Sequence, residues 1–419
     1  MPEAKKTPHD KPREFVQTAE STICELDQWR QITDDEVDIV ADMTRRNELS
    51  GGTPMVREFE RIWREWIRSK HAVSVINGTA ALYSAYFGVG VGPGDEVVCP
   101  INTWICTIAP ALLLGAKPVF CDIDPETLMI DPQDMRAKIT DKTRCICAVH
   151  LWGNVCDMDP ITAVANESHI PVVEDCSHAH GARYKGRMCG SIGHVGAWSL
   201  QGSKAVSAGE GGMLTTDDVD VFERACLVGQ VNRIAGIDLV GAKYAELQPL
   251  GLGMKFRAHP LGIGIATAQL RKLPELNRRR AAYVAEVEAA LGGIAGFRPL
   301  TVYPGAERGG YYGFPIIYDP APGGPAIGEV IDTLQEKGVS ASLSPYPNLH
   351  DLPLFAKGFD IFTRNRGPLC ASEGYAGYKQ GDFPKAELAK SRTIFLPMLS
   401  DPVPGAAERV LTALRKATA

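Results

Sequence analysis

The sequence predicts an α/β protein with a mostly parallel central sheet, helices on both faces of that sheet, and a smaller C-terminal α/β domain. Three observations support this. Short apolar runs of strand length alternate with helical patterns between residues 71 and 212, as β-α-β units require. The chain has 419 residues, which is long for a single domain. Apolar residues make up 45% of the chain and charged residues 22%, so a large core can form.

The elements of the sheet are expected in a regular order. Strands are predicted at residues 71–76, 96–99, 118–121, 145–151 and 171–174. Helices are predicted between them, at residues 79–87, 103–114, 131–139 and 160–168. Because ligands of open α/β sheets bind at the carboxyl ends of strands, the polar residues that follow these runs are the candidates for a functional site.

The remainder of the chain is divided by its composition. Its first residues are charged and proline-rich, and we predict an N-terminal tail over residues 1–30. Helical patterns recur at residues 260–277 and 278–291. We predict a large ligand-binding domain over residues 31–285 and a small C-terminal domain over residues 286–419.

Charge and cysteine content exclude several classes of function. The formal net charge is -6, and the sequence has no basic stripe, so neither a nucleic acid nor an anionic membrane is expected as a partner. The N-terminal residues lack the apolar stretch of a secretory signal, and we expect a cytoplasmic protein. The 11 cysteines show no metal-ligand spacing, so we expect reduced thiols and no metal.

The first of three polar clusters is the turn Asn77-Gly78-Thr79-Ala80, which leaves a predicted strand and opens a helix. Gly78 allows close backbone approach, and the free N–H groups of a helix start attract an anion. Taken alone, the cluster is more often an ordinary helix cap.

The second cluster centres on Asp175, at the end of the apolar run VVED. A buried carboxylate is costly unless it meets a cation, and the protonated ring nitrogen of a cofactor is one such partner. A helix N-cap is the favoured interpretation if this segment is considered by itself.

The third cluster surrounds Lys204, in the segment WSLQGSKAVSAGEGG. Most lysines are solvated surface residues. Lys204, however, has small neighbours in Gly202, Ser203 and Ala208, and no carboxylate follows it before Glu210. A partly desolvated lysine has a lowered pKa and can form a Schiff base with a carbonyl group.

Taken together, the clusters carry a family resemblance. The run EDCSHAHGARYKGRMCGSIGHVGAWSLQGSKAVSAGEGG resembles the DegT/DnrJ/StrS family of pyridoxal-phosphate (PLP) dependent sugar and aminocyclitol aminotransferases, which have the fold-type I architecture. The segments SGGTPMVREFERIW, INGTAAL, GPGDEVVCPINTWICT, VHLWGNVCDMD and GMKFRAHPLGIGIATAQLRKL also match the family pattern. The resemblance extends over about residues 50–400, in the family's order.

The resemblance implies a role for each residue of the site. Lys204 would hold the cofactor through its amine, Asp175 would pair with the pyridine nitrogen, and Trp104 would stack on the ring. His178 stands where the family places a Gln or His near the 3-hydroxyl group. The phosphate would be held by Gly78, Thr79, Ala80 and Ser199.

Lys255 stands at a position where the family often has Asn, a residue that reaches the phosphate of the neighbouring subunit. The resemblance therefore implies a homodimer with shared active sites, although lysine at this position departs from the common pattern. Tyr346 and His350 are candidate substrate contacts. For His150 and His194, a substrate contact is the alternative to the favoured interpretation as packed or hydrogen-bonded core residues, and His180 is open between the two. Glu210 is interpreted as structural.

A lysine at position 204 favours transamination, because relatives that dehydrate sugars carry His there. The amino donor would be L-glutamine or L-glutamate, with the cofactor alternating between PLP and pyridoxamine phosphate (PMP). The acceptor would be a ketone on a cyclitol, sugar or related intermediate, of the kind found in antibiotic biosynthesis. A nucleotide-linked keto-sugar and a nucleoside-antibiotic intermediate are alternative acceptors. A PLP-dependent dehydratase or lyase, and a non-catalytic PLP-binding regulator, are alternative functions.

Overall fold

The computed structural model describes residues 26–233, 242–248, 250–362 and 364–418. The predicted fold class is confirmed. The first part of the chain contains the strands β1 (His71–Val75), β2 (Glu96–Pro100), β3 (Lys117–Cys121), β4 (Thr143–Val149), β5 (Val172–Asp175), β6 (Arg183–Tyr184), β7 (Arg187–Met188), β8 (Val195–Ser199) and β9 (Gly212–Thr216). Seven of them form the central sheet of the described residues, in the order β1-β9-β8-β5-β4-β2-β3.

The central sheet is parallel through its middle and antiparallel at one side. Strands β3, β2, β4, β5 and β8 pair in parallel, whereas β9 runs antiparallel to both of its neighbours, β8 and β1. Strands β5 and β8 are adjacent, and their carboxyl ends are Asp175 and Ser199. Parallel pairing therefore brings the second and third polar clusters to one edge of the sheet.

Helices cover the sheet. They are α1 (Asp34–Arg45), α2 (Pro54–Ile67), α3 (Gly78–Gly88), α4 (Ala109–Leu113), α5 (Pro132–Ala137), α6 (Met158–Glu167), α7 (Val219–Gly229) and α8 (Pro260–Leu291). Short 3-10 turns lie at Ile105–Thr107, Leu151–Gly153, Ala242–Leu247, Leu349–Asp351 and Ala371–Glu373. The burial of strands such as β2 and β9 is continuous along their length, as expected for strands covered on both faces.

The C-terminal part of the chain forms a second layer of sheet and helices. Its elements are β10 (Phe297–Pro299), β11 (Ala306–Glu307), β12 (Phe314–Tyr318), α9 (Ile327–Glu336), β13 (Ser342–Leu343), α10 (Pro353–Ala356), α11 (Pro384–Arg392), β14 (Thr393–Leu396) and α12 (Ala406–Ala417). Four strands make a sheet in the order β10-β12-β14-β13, and β11 joins β6 and β7 in a small ribbon. A second hydrophobic core lies between this sheet, α9, α12 and the end of α8.

Two of the predicted domain boundaries can be compared with the helices and contacts of the structure. The predicted boundary at residue 285 falls inside α8, which is one continuous helix of 32 residues rather than two. Near the start of the chain, Leu26 is buried in the second core, and Asp27 forms a bridge with Pro402. The end of the predicted tail is thus packed against the C-terminal part, while residues 1–25 lie outside the described residues. The division into domains stays a prediction.

One predicted helix is different in the structure. Residues 103–114 form a 3-10 turn at Ile105–Thr107 and a separate short helix, α4. The break precedes Pro110, which lies in the first turn of α4. Proline has no N–H to donate to a preceding turn but is well tolerated at the start of a helix. The 3-10 turn matters for the site because it contains Thr107.

Two further observations concern the described residues as a whole. No helix among them combines the length and the apolar character needed to cross a membrane. The ten cysteines in this part of the chain are free, and nine of them are buried.

Candidate active site

The turn that begins α3 lies directly against the end of β8. A Cβ added to Gly78 would come within 2.7 Å of Ser199 Cβ, so only glycine allows this approach. Asn77 caps α3 by accepting the N–H of Ala80 at 2.8 Å, which occupies that amide. The amides of Gly78 and Thr79 lie in the first turn, where N–H groups have no partner within a helix. With Ser199 beside them, they form a site suited to an anion.

Asp175 ends β5 and is buried, with 5% of its surface exposed. Its Oδ2 accepts the hydroxyl of Thr107 at 2.8 Å, and its Oδ1 accepts the amide of Ser177 at 3.1 Å. The hydroxyl of Thr107 is also 2.8 Å from that of Thr103. An ionised carboxyl group offers about four acceptor positions, so the two donors leave this one able to accept a further partner.

Lys204 lies in the loop of residues 200–211, which joins β8 to β9. Backbone hydrogen bonds hold the loop, including Leu200 N–H to Gly211 O at 2.8 Å and Ala208 N–H to Leu200 O at 2.7 Å. The side chain is 9% exposed. Burial lowers the pKa of Lys204 from 10.5 to about 7, against the opposing attraction of Asp175. Such an amine is partly uncharged at neutral pH and can act as a nucleophile or a base.

An aromatic wall stands beside the amine. We define it as Trp104, Trp152, His178, Tyr312 and Tyr346. Tyr346 lies 5.0 Å from Trp104 and 4.6 Å from Trp152 between ring centroids, and His178 stacks on Tyr312 at 3.9 Å with an interplanar angle of 22°. Trp104 is 45% exposed, so its ring retains an open face for stacking.

His178 is a neutral member of this wall. Its Nδ1 accepts the backbone N–H of Trp152 at 3.3 Å, which assigns the proton to Nε2, 3.3 Å from the hydroxyl of Tyr346. Burial and, secondarily, the charge of Lys204 hold the pKa of His178 well below its usual value. The ring therefore offers an N–H donor rather than a positive charge.

The other predicted residues lie at different places. Lys255 is exposed, on a segment that pairs with Gln230, and within the described ranges it makes no hydrogen bond or ion pair with the residues around Lys204. His350 is buried, hydrogen-bonded to Glu387 at 3.1 Å and packed against Phe383. His194 accepts the amide of Val172 at 3.0 Å. His180 is buried against Trp63.

Several residues of the site were missed by the sequence analysis. Thr107 and Ser177 bond directly to Asp175, and Tyr312 lies over Lys204 with 3.6 Å between Nζ and the ring centroid. Tyr312 is more than 100 positions from Lys204 in the sequence, and no local pattern connects them. Thr103 and Thr107 carried a weak signal, because two hydroxyls four positions apart interrupt an otherwise apolar segment.

A group with metal-ligand chemistry lies beside the site. His150, Glu174 and Cys176 offer ligand atoms within 4.8 Å of one another. The imidazole Nδ1 of His150, however, accepts the amide of Cys156 at 3.2 Å, and its Nε2 is 3.0 Å from Glu174. Three backbone amides, of Gly190, Ile192 and Gly193, also donate to Glu174. The group is a hydrogen-bonded core cluster, as expected for His150.

The sheet topology and a buried lysine at the carboxyl edge of the sheet, facing a buried aspartate, define a fold-type I aminotransferase. Comparison with known proteins agrees. The chain belongs to the DegT/DnrJ/EryC1/StrS aminotransferase family, whose model matches residues 30–415.

Two curated relatives illustrate the range of the family. The spore coat polysaccharide biosynthesis protein SpsC of Bacillus subtilis (strain 168) is 32% identical over 375 residues, which cover 87% of this chain and 89% of SpsC. The L-glutamine:2-deoxy-scyllo-inosose aminotransferase of Streptomyces fradiae is 36% identical over 258 residues, which cover 61% of each protein.

Among solved structures, an aminotransferase from Psychrobacter cryohalolentis is similar over 93% of this chain and 98% of its own, with a TM-score of 0.80 and 27% sequence identity. The similarity therefore extends over both hydrophobic cores and the site between their elements.

Proposed function

We propose that this aminotransferase uses PLP, alternating with PMP, to move an amino group from L-glutamine or L-glutamate to a ketone on a cyclitol or related ring. The observation that carries the proposal is the buried amine of Lys204, opposite Asp175 and beside a wall of uncharged rings. We propose a role in antibiotic biosynthesis, in the cytoplasm, as the sequence suggested.

The residues present fit the cofactor. Gly78 and Ser199 form a cradle that a Cβ at position 78 would fill, and the first-turn amides of α3 suit a phosphate. Asp175 has acceptor capacity left for a protonated ring nitrogen. Trp104 has an open ring face, and His178 carries a donor N–H. We assign Lys204, Asp175, His178, Trp104, Gly78, Thr79 and Ser199 to hold PLP.

The chain's own chemistry centres on Lys204. When bound, the cofactor supplies an electron sink for the carbon that loses its proton. Lys204 would take that proton and return it to the neighbouring carbon, because an amine with a pKa of about 7 changes its protonation state readily near neutral pH. Asp175 would keep the ring nitrogen protonated, while Thr107 and Ser177 keep Asp175 in place.

The aromatic wall favours a cyclitol over a nucleotide-linked sugar. A diphosphate group is usually bound by arginine or lysine. Among the described residues, Lys204 is the one cation whose charged group lies over a ring of the wall, at Tyr312. A cyclitol presents hydroxyl groups and apolar C–H faces, which suit Tyr346, Trp104 and the N–H of His178. The S. fradiae relative, whose name specifies L-glutamine and an inosose, supports the same choice.

We also propose a homodimer with shared sites. Lys255 is exposed on a segment whose alternate apolar residues are exposed as well: Leu250 by 57%, Leu252 by 52% and Met254 by 43%. A second copy of the chain that covered these residues would bring Lys255 to the phosphate end of the neighbouring site, at Gly78 and Ser199, and not to the aromatic wall.

A keto-sugar acceptor is the second candidate, because SpsC is named for polysaccharide biosynthesis and is similar over most of its length. The test uses the purified holoenzyme with amine-¹⁵N-labelled glutamine or glutamate. Each donor is paired with 2-deoxy-scyllo-inosose, a nucleotide-linked keto-sugar or a keto-nucleoside, and products are detected by mass spectrometry. We expect ¹⁵N-labelled aminocyclitol to form from 2-deoxy-scyllo-inosose, with more product from glutamine than from glutamate. Amination of the nucleotide-linked sugar alone would contradict the cyclitol proposal and support the second candidate.

A further inference from the structure

Tyr312 lies at the centre of the contacts around the reactive amine. Its ring centroid is 3.6 Å from Lys204 Nζ. The same ring also stacks on the imidazole of His178, with 3.9 Å between the ring centroids. The Tyr312 hydroxyl is 3.0 Å from Ser203 Oγ, on the residue that precedes Lys204. One side chain therefore contacts both the amine and the loop that carries it.

The backbone before Tyr312 is fixed by close packing. A Cβ at Gly309 would lie 2.4 Å from the amide nitrogen of Ala182, and one at Gly310 would lie 2.6 Å from the carbonyl of His178. Gly310 also donates its N–H to Asn277 at 2.9 Å and accepts a hydrogen bond from Arg280 at 2.6 Å. Gly310 has a φ of +71°, which glycine adopts without strain. The ring of Tyr312 is thus presented from a rigid segment.

The amine of Lys204 needs such a partner. Four rotatable bonds separate Nζ from the backbone, and a freely moving amine would seldom be in place to react. A carboxylate partner would hold it but would also keep it protonated. An aromatic face attracts an ammonium group by a smaller amount and cannot take its proton. The groups that face the amine are Asp175, Cys106, His178, His180 and Tyr312.

We propose that Tyr312 is a positioning residue for transamination, which holds the free amine of Lys204 against its ring face while its hydroxyl anchors the ring to Ser203. The inference rests on the proposed role of Lys204 as the reacting amine. Tyr312 lies between β11 and β12, so the packing of this C-terminal segment sets the position of the lysine.

The test compares Tyr312→Leu, Tyr312→Phe and the matched control Tyr311→Phe. Tyr311 is the neighbouring tyrosine and lies over Arg308 rather than Lys204. In the full-length protein freed of cofactor, the pH dependence of Lys204 acetylation by limiting acetic anhydride is read by peptide mass spectrometry. In the holoenzyme, kcat and KM for glutamine are measured.

For Tyr312→Leu we expect the apparent pKa of the Lys204 amine to fall by about 0.5 to 1 unit, because a partner of the ammonium form is lost. We expect kcat to fall roughly tenfold or more with KM for glutamine changed by less than about threefold. Tyr312→Phe should keep the pKa and lose less than about fivefold in kcat. Tyr311→Phe should leave both quantities unchanged.

Two results would overturn the proposal. One is an unchanged or raised amine pKa in Tyr312→Leu. The other is an equal loss of kcat in the Phe and Leu variants, which would assign the effect to the hydroxyl alone. Failure of the underlying assignment is separately visible, because Lys204→Ala would then retain turnover whatever the Tyr312 variants do.

Discussion

Glu174 and Asp175 are consecutive buried acids at the end of β5, yet their surroundings are opposite. Glu174 accepts hydrogen bonds from the amides of Gly190, Ile192 and Gly193, and from His150. These four donors fill the acceptor capacity of a carboxylate. Burial alone would raise the pKa of Glu174, but the hydrogen bonds, first that of His150, outweigh it and lower the pKa.

Asp175 faces the other side of the strand and, among the described residues, receives two donors, Thr107 and Ser177. The charge of Asp175 acts on the amine of Lys204, but in the part of the chain that the structure describes neither group forms an ion pair. Both acids are therefore buried, and they differ in how many hydrogen-bond donors their carboxylates receive. A buried acid with all of its partners maintains the fold, whereas one with unfilled acceptor positions can bind a ligand.

The largest effect is expected on the Asp175 side of β5, for the variant Lys204→Ala. We expect transamination to fall by at least about a thousandfold, because both the nucleophile and the proton carrier are lost. The measurement is single-turnover conversion of glutamine by holoenzyme prepared with added PLP, with circular dichroism as the check that the variant is folded. Turnover within tenfold of the wild type would show that another group performs the chemistry.

The second test replaces one carboxylate oxygen of each acid by an NH₂ group. Asp175→Asn should reduce kcat by about a hundredfold or more, because an amide does not hold the ring nitrogen protonated. Glu174→Gln should instead lower the free energy of unfolding by about 3 kcal/mol, because backbone amides then face an NH₂ group that cannot accept. Urea unfolding and steady-state kinetics are measured on both variants.

The two variants serve as controls for each other. The comparison predicts that activity loss and stability loss fall on different residues. If Glu174→Gln were as stable as the wild type and equally impaired in kcat, the distinction between a paired and an open acid would be wrong.

Much of the fold was predictable because parallel strands are apolar along their length and leave short, regular runs. The regions around β2, β3 and β5 were predicted to within a few residues. Strands β8 and β9 were not predicted, because Val195–Ser199 and Gly212–Thr216 contain Gly, Ser and Thr, which do not stand out by hydrophobicity. These are the two strands that flank Lys204. The role of the lysine was therefore predicted from its sequence motif and not from the secondary structure around it.

The site was predictable where its residues lie within continuous motifs. Gly78 and Ser199 were assigned separately, and the packing of the two against each other was visible only in three dimensions. Tyr312 and the donors to Asp175 could not be predicted, because their roles depend on how distant segments meet. Glu174 illustrates the same limit, since nothing in the sequence distinguishes a saturated acid from its open neighbour.

The smallest of the three expected effects concerns the stability of the cofactor-free protein. Burial lowers the pKa of Lys204 from its usual 10.5 to about 7 in the folded protein. Between these pH values the unfolded chain binds a proton that the folded chain does not, so the wild type gains stability as pH rises from 7 to 10.5. Lys204→Met removes this dependence. At pH 7 the substitution can raise the free energy of unfolding by at most about 4 kcal/mol. Loss of the contact between the lysine and the Tyr312 ring reduces the expected increase to about 2 kcal/mol.

The measurement is urea unfolding of both cofactor-free proteins at several pH values between 7 and 10. The difference between them isolates Lys204, because the other lysines and tyrosines titrate alike in both proteins. We expect Lys204→Met to be the more stable protein at pH 7 and its advantage to shrink as pH rises. A constant difference, or a variant that is less stable at pH 7, would mean that the amine is not held out of water. Lys204 would then have found a partner, as Glu174 has, and the contrast between the two sides of β5 would lose its physical basis.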